Sequence, residues 1–362
     1  MAKIENINFY NFRNFKNFKT SFDNKLNILY GDNGCGKTNI LEGISLIAKG
    51  RGIRNSNIFN LIKKGEENFL IKNNLLIQKN NFNIDISSEK KNEKFKKIIK
   101  INDDLSKDSQ DFLNQSFSYL MFVPEMERLF QSSPSYRRNF IDRLIFSSKN
   151  DYNKLINKYK KNLIERNQIL QLYNIDYDWL NHIEKEICSL GLEIYKLRNL
   201  KLETLNSELN ILHNDHKFQF KVKLELQDGF YENSIDIEKY ISNLQNSRKY
   251  DKKYGSTKVG PHRSDIVSKI NNNFEASLLS TGQQKTVVLM ILLAQCSNLV
   301  NNKKICPIFL FDEIGSHLDN HNRQILLDMI NKFDTQFFLT GTDKKLFSFV
   351  STNAKFYNIT NI

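Results

Sequence analysis

The sequence predicts an α/β fold, a mixed sheet with flanking helices assembled from both ends of the chain around an inserted helical and β lobe. Three stretches predict it. Gly31-Asp32-Asn33-Gly34-Cys35-Gly36-Lys37-Thr38 fits G-x-x-x-x-G-K-[ST] between an apolar run and a helical pattern. Pro307-Ile308-Phe309-Leu310-Phe311 is an apolar strand that delivers Asp312 and Glu313 at its end. Between these, residues 152–211 carry apolar side chains at near-heptad spacing, the pattern of long helices.

In chain order, residues 4–10 and 21–30 read as strands. They flank Asn11-Phe12-Arg13-Asn14-Phe15, an aromatic and basic connection in which Arg13 is a candidate contact to a nucleotide base or phosphate. In the loop that follows, the glycines let backbone N–H groups of Gly31, Asp32, Asn33, Gly34, Cys35 and Gly36 converge on phosphate oxygens. Lys37 reaches the β and γ positions, and the Thr38 hydroxyl suits Mg²⁺. ATP with Mg²⁺ is therefore the expected cofactor pair. Ile40, Leu41, Ile44 and Ile47 mark the buried stripe of the next helix.

Alternating runs such as Phe69-Leu70-Ile71 and Phe82-Asn83-Ile84-Asp85-Ile86 predict an antiparallel β layer with Lys-rich turns. Residues 117–123 have strand length and composition and end at Pro124, which cannot donate to a sheet ladder. Ser133-Pro134 opens a helix carrying Arg137 and Arg138, which either touch phosphate or pair with acids. Two long helices with a turn at residues 174–178 make a helical hairpin, and the strict alternation of residues 218–226 marks a half-buried strand.

Ser280-Thr281-Gly282-Gln283-Gln284-Lys285 precedes a helix that is apolar all round and must be buried. Ser280 can cap that helix, Gly282 gives close backbone access, and the helix N-terminus favours an anion. At the acidic strand end, Asp312 suits Mg²⁺ through its water shell, and Glu313 is placed to polarise an attacking water.

Composition bounds the rest. With 362 residues the chain can bury a core without staples, and Cys35, Cys188, Cys296 and Cys306 show neither C-x-x-C pairing nor zinc-ligand spacing. They read as reduced thiols of a cytoplasmic protein. Neither an export signal nor a membrane span is expected. The net charge of +13 gives weak support for a polyanionic partner, because the abundance of Asn, Ile and Lys also fits A/T-rich codons.

The order of these motifs, with Gly315-Ser316-His317-Leu318-Asp319 after Glu313, resembles the ATP-binding-cassette (ABC-type) heads of chromosome-structure and break-repair proteins. Within that group it resembles the RecF family of DNA replication and repair proteins. Arg137-Arg138-Asn139-Phe140-Ile141-Asp142, Gly260-Pro261-His262-Arg263 and Thr340-Gly341-Thr342-Asp343 carry the likeness further. The resemblance implies an ATP-dependent homodimer in which Ser280, Gly282 and Gln283 reach the other subunit's nucleotide, Thr38 and Asp312 serve Mg²⁺, and Glu313 is the hydrolytic carboxylate. It also implies slow hydrolysis and DNA binding at gaps and single-strand–double-strand junctions, with RecO and RecR as partners and RecA served indirectly. Thr342 or Asp343 takes the switch position where many cassette ATPases have His. A transporter ATPase subunit is the rival reading. The expected domains are 1–125, the N-terminal part of the ATPase lobe; 126–250, the inserted lobe; and 251–362, the C-terminal part with signature and acidic strand.

Overall fold

Buried and exposed positions alternate along β1 (Ala2–Phe12), and the chain then reverses through Arg13 and Asn14 into β2 (Phe15–Ser21). The computed structural model describes residues 2–22, 25–92, 94–149, 151–216, 220–231, 236–305, 307–314, 319–350 and 353–360. The strand expected across residues 21–30 is β3 (Leu26–Tyr30), and of that stretch only Ser21 belongs to β2, which begins at Phe15. The turn before Phe15 sets where β2 starts. Asn11 and Arg13 adopt left-handed φ values of 50° and 55°. That returns Phe15 and Phe18 to stack with Phe9 at 5.5 and 5.7 Å, beside Phe12 at 4.9 Å.

On this aromatic floor sits α1 (Lys37–Ser45), its Gly43 pressed so closely to the Phe9 ring that a Cβ would overlap it. Then β4 (Leu70–Ile77), β5 (Asn80–Lys91) and β6 (Lys94–Ile101) complete the expected antiparallel layer in the order β2-β1-β4-β5-β6. Lys97 on β6 donates to the carbonyls of Leu46 and Ala48 at 2.9 and 2.8 Å, closing the C-terminal end of α1. After α2 (Lys107–Ser116), the strand expected at residues 117–123 is β7 (Tyr119–Phe122).

The chain divides into two units, one of Met1–Glu127 with Thr281–Ile362, the other of Arg128–Ser280. In the second, Ser133 and Pro134 start α3 (Pro134–Phe146) as expected. The helical hairpin is α4 (Tyr152–Gln171) and the 40-residue α5 (Tyr177–His216). A strand β8 (Val222–Gln227) follows; Phe218 and Gln219 lie outside the described residues. Then come α6 (Ile237–Tyr254), β9 (Asp265–Ile270) and β10 (Phe274–Glu275).

Residues 251–280, given from sequence to the C-terminal part of the head, belong to this unit. They do so because β9 pairs antiparallel with β8 from Val222↔Ile270 to Gln227↔Asp265. The hairpin core joins Tyr159, Leu163 and Leu170 of α4 to Leu180, Ile183 and Ile187 of α5, with Tyr240 and Leu244 of α6. Inside it, fully buried Arg166 bonds Glu184 at 3.0 Å and Asp251 at 2.8 Å.

Back in the first unit, α7 (Thr281–Lys303) is buried continuously from Gln284 to Leu299, the helix surrounded on all sides that its apolar composition requires. Next come β11 (Ile308–Phe311), α8 (Asn320–Lys332), β12 (Phe337–Gly341) and β13 (Ala354–Asn358). A parallel sheet runs β13-β3-β12-β11-β7. Gln336 ties it to the antiparallel layer, its amide accepting from Ile4 N at 2.8 Å and donating to Ile4 O at 3.0 Å.

Candidate nucleotide site

Because β3, β12 and β11 are parallel neighbours, their carboxyl ends open on one edge, the place where open α/β sheets bind ligands. The phosphate loop leaves β3, the acidic pair leaves β11, and Thr340 ends β12 between them.

The loop has the backbone its sequence predicts. Gly31, Gly34 and Gly36 take φ values of 148°, 85° and 112°. A Cβ on Gly36 would lie 2.5 Å from the Phe15 ring and 2.8 Å from the Asn14 amide, so the β1–β2 turn braces the loop from beneath. Asn14 donates to Cys35 O at 3.0 Å and accepts from Asn39 at 2.7 Å. Lys37 is buried, and its ammonium donates to the carbonyls of Gly31 and Asp32, each at 2.7 Å. Asp32, Asn33 and Gly34 are exposed at the rim.

The two halves meet at Asp312. Thr38 Oγ1 donates to Asp312 Oδ1 at 2.9 Å, and Thr340 Oγ1 donates to the same oxygen at 2.9 Å while accepting from Glu313 N at 2.7 Å. Burial pushes the Asp312 carboxyl above the usual range, and the two hydroxyl bonds oppose that. A divalent cation would oppose it further. Glu313 is exposed and holds a left-handed φ of 51°, an uncommon backbone for a residue with a side chain. A left-handed glycine loop, a buried ammonium on that loop and a hydroxyl–carboxylate pair together fit a nucleoside triphosphate with Mg²⁺.

Arg13 is placed differently. Its guanidinium grips buried Glu42 of α1 with two bonds of 2.8 Å and also donates to Ser56 at 2.6 Å and Asn60 O at 2.8 Å. Glu42 escaped the sequence reading, because it sits in an apolar helical stripe where a carboxylate invites no notice. Thr340 belongs to the stretch Thr340-Gly341-Thr342-Asp343 that carries the family likeness, but within it only Thr342 and Asp343 are candidates for a role from sequence.

Ser280 immediately precedes α7, exposed, with Gly282 and Gln283 half-buried in its first turn. This turn is gathered with α8 rather than with the phosphate loop: Gly282 O accepts from Thr286 at 3.2 Å and from Asn322 at 3.4 Å. Gly315, Ser316, His317 and Leu318 lie outside the described residues, as does Cys306. Cys35, Cys188 and Cys296 form no disulfide among the described residues. Asp343 caps the short helix after β12 by accepting from Lys345 N at 2.9 Å, and Thr342 is exposed. In the second unit, Arg137 pairs with Asp265 through bonds of 2.8 and 2.6 Å, so of the two readings the acid partner holds. Arg138 donates to Ser264 O.

Among the described residues no helix is long and apolar enough to cross a membrane. The profile of the RecF/RecN/SMC N terminal domain matches residues 3–361. "DNA replication and repair protein RecF" of Rickettsia conorii is 34% identical over 328 residues, covering 89% of each chain, and that of Rickettsia felis is 33% identical. A solved structure described as the recombination mediator protein RecF-ATPrS in RecFOR pathway superposes with a TM-score of 0.85 at 28% identity, covering 99% of this chain and 96% of that one. The Smc head domain of Pyrococcus furiosus, at 17% identity and a TM-score of 0.53, shares the fold. An ABC-type ATPase head with this motif order and these relatives places the chain in the RecF family.

Proposed function

We propose that the protein is an ATP-dependent DNA-binding protein of recombinational repair and replication restart, working in the cytoplasm, that dimerises on ATP at gapped or junction DNA and helps load recombinase on single strands. The observation that carries the reading is Thr38 and Thr340 converging on Asp312. It joins the loop that grips phosphates to the strand end that serves the metal. RecF-ATP and the RecFOR pathway are named for a similar structure, which supports ATP as cofactor, DNA as substrate and RecO and RecR as partners.

In this reading the N–H groups of residues 31–36 and the Lys37 ammonium bind the phosphates, and Lys37 exchanges the carbonyls of Gly31 and Asp32 for phosphate oxygens. Thr38 and Asp312 hold Mg²⁺, which when bound supplies charge neutralisation to the transferring phosphoryl group. Glu313 orients the attacking water. Thr340 fixes both residues at once, the Asp312 carboxylate by donating to it and the Glu313 backbone by accepting from its N–H. Arg13 reaches base or phosphate only by leaving Glu42; until then it braces α1.

Ser280, Gly282 and Gln283 present the N-terminal turn of α7 to the nucleotide of a second copy. Hydrolysis is slow and resets the dimer. Sedimentation velocity tests the assembly: ATP drives the wild-type chain to a dimer, whereas Ser280→Arg binds ATP and stays monomeric. A Ser280→Arg dimer as tight as wild type removes the two-head arrangement.

A further inference from the structure

A charge is buried at the start of α7. The Lys285 side chain is 2% exposed, and its ammonium donates to Glu127 Oε1 at 2.6 Å while lying 5.5 Å from the centroid of the Phe122 ring. Glu127 is its one carboxylate partner among the described residues. A buried ammonium is costly unless paired, and apolar side chains of similar volume commonly replace such a pair without loss of stability. Packing alone would be served by a methionine.

The surroundings of the pair give it more to do. Phe122 ends β7 in register with Phe311, and its carbonyl accepts from Asp312 N at 2.8 Å. Beyond it the chain turns at once, Met126 N donating to Val123 O at 2.9 Å, and enters the short helical segment Pro124–Gln131 that carries Glu127. On the α7 side, Thr286 beside Lys285 donates to Gly282 O at 3.2 Å and to Asn322 Oδ1 at 2.8 Å, which closes the first turn of the helix. One ion pair therefore joins the strand end bonded to Asp312 to that turn. Phe122, Glu127, Lys285 and Asp312 all belong to one unit, which the chain leaves after Glu127 and re-enters at Thr281. Whatever fixes Asp312 fixes the β7 end bonded to it, and through Glu127 and Lys285 the start of α7.

We propose that Lys285 is a positioning residue: paired with Glu127 against the Phe122 ring, it couples occupancy of the chain's own nucleotide site to the order of the first turn of α7. The inference rests on the proposed function for ATP as the ligand and for what the ordered turn serves, namely the nucleotide of a second copy.

The test is amide hydrogen exchange of the full-length protein, dilute enough to be monomeric, with and without ATP and Mg²⁺. In the wild-type chain the amides of residues 285–288, which are released when the first turn opens, exchange about tenfold more slowly once ATP is bound, an ordinary size for coupling between two sites. Lys285→Met with Glu127→Leu keeps the urea midpoint and the calorimetric ATP affinity and abolishes the slowing. Glu127→Gln, which keeps the side chain's shape and an acceptor for the ammonium and removes only the charge, stays folded and reduces the slowing. Slowing as large as wild type in either variant overturns the proposal. So does a loss of ATP affinity in the double variant that matches its loss of slowing, which marks Lys285 as part of the nucleotide site itself. Because the comparison is made on the monomer, a wild-type chain that binds ATP without dimerising overturns the two-head arrangement and leaves the coupling to be decided by exchange.

Discussion

Thr38 Oγ1 lies 2.9 Å from Asp312 Oδ1, a hydrogen bond between residues 274 positions apart. The geometry requires β3 and β11 to sit on either side of β12 with their carboxyl ends level, which the registers Gly341↔Tyr30 and Phe311↔Leu339 provide. The fold thus builds the glycine loop and the acidic strand end separately and brings them into register through a third strand.

That third strand is the target of the first prediction. Thr340→Val keeps the volume but removes the hydroxyl shared by Asp312 and the Glu313 N–H. Leaving those partners unmet costs about 1–3 kcal/mol of stability. Mg²⁺-dependent hydrolysis falls more than ATP affinity does. Denaturant titration and turnover measured side by side check both parts, and unchanged turnover excludes Thr340 as the positioning residue.

Lys37→Ala and Glu313→Gln separate binding from chemistry. The first removes the ammonium that answers phosphate charge, so ATP affinity drops. The second keeps the shape of the side chain and removes the charge that orients water, so ATP binds, turnover stops and dimers accumulate. Calorimetry with ATP and a phosphate-release assay distinguish them; normal affinity in Lys37→Ala contradicts the assignment.

Stability of the second unit depends on Arg166. Replacing it with Met leaves Glu184 and Asp251 buried without their main counter-charge, at a cost of about 3–5 kcal/mol. Arg248 still reaches Glu184 at 2.6 Å, which puts the loss near the lower end. A shifted urea midpoint with ATP affinity retained is the expected pattern.

His262 gives the unit a pH dependence. Burial holds its imidazole down to about 4, while Tyr159 Oη lies 2.7 Å from its Nδ1. The unfolded chain takes up this proton near 6.5, before the folded chain does. The neutral histidine's contribution is therefore complete above about 6.5 and is lost as pH falls towards 4. Melting temperature against pH, compared with His262→Gln, reads this directly: the variant shows a flatter slope across that window.

What the sequence made legible followed from local chemistry. The loop at residues 31–38 and the strand before Asp312 declare themselves through residue type and spacing, and α7 through unbroken apolar composition. The connection at residues 11–15 was legible, but its left-handed backbone was not, because Asn11 and Arg13 carry it without a glycine to mark it. The bond between Glu42 and Arg13 joins residues 29 positions apart across two elements, beyond the reach of periodicity. Likewise β9 joins β8 by long-range pairing, so the boundary of the second unit at Ser280 carries no compositional signal.

The most direct test of the proposed function measures binding to one gapped DNA, in two scrambled sequences, across a salt series with ATP and with ADP. The account predicts tighter binding with ATP, a steep loss of affinity as salt rises because several phosphate counterions are released together, and the same affinity for both sequences. Equal affinity with ATP and ADP contradicts the nucleotide switch, and a large difference between the two sequences contradicts recognition by DNA geometry.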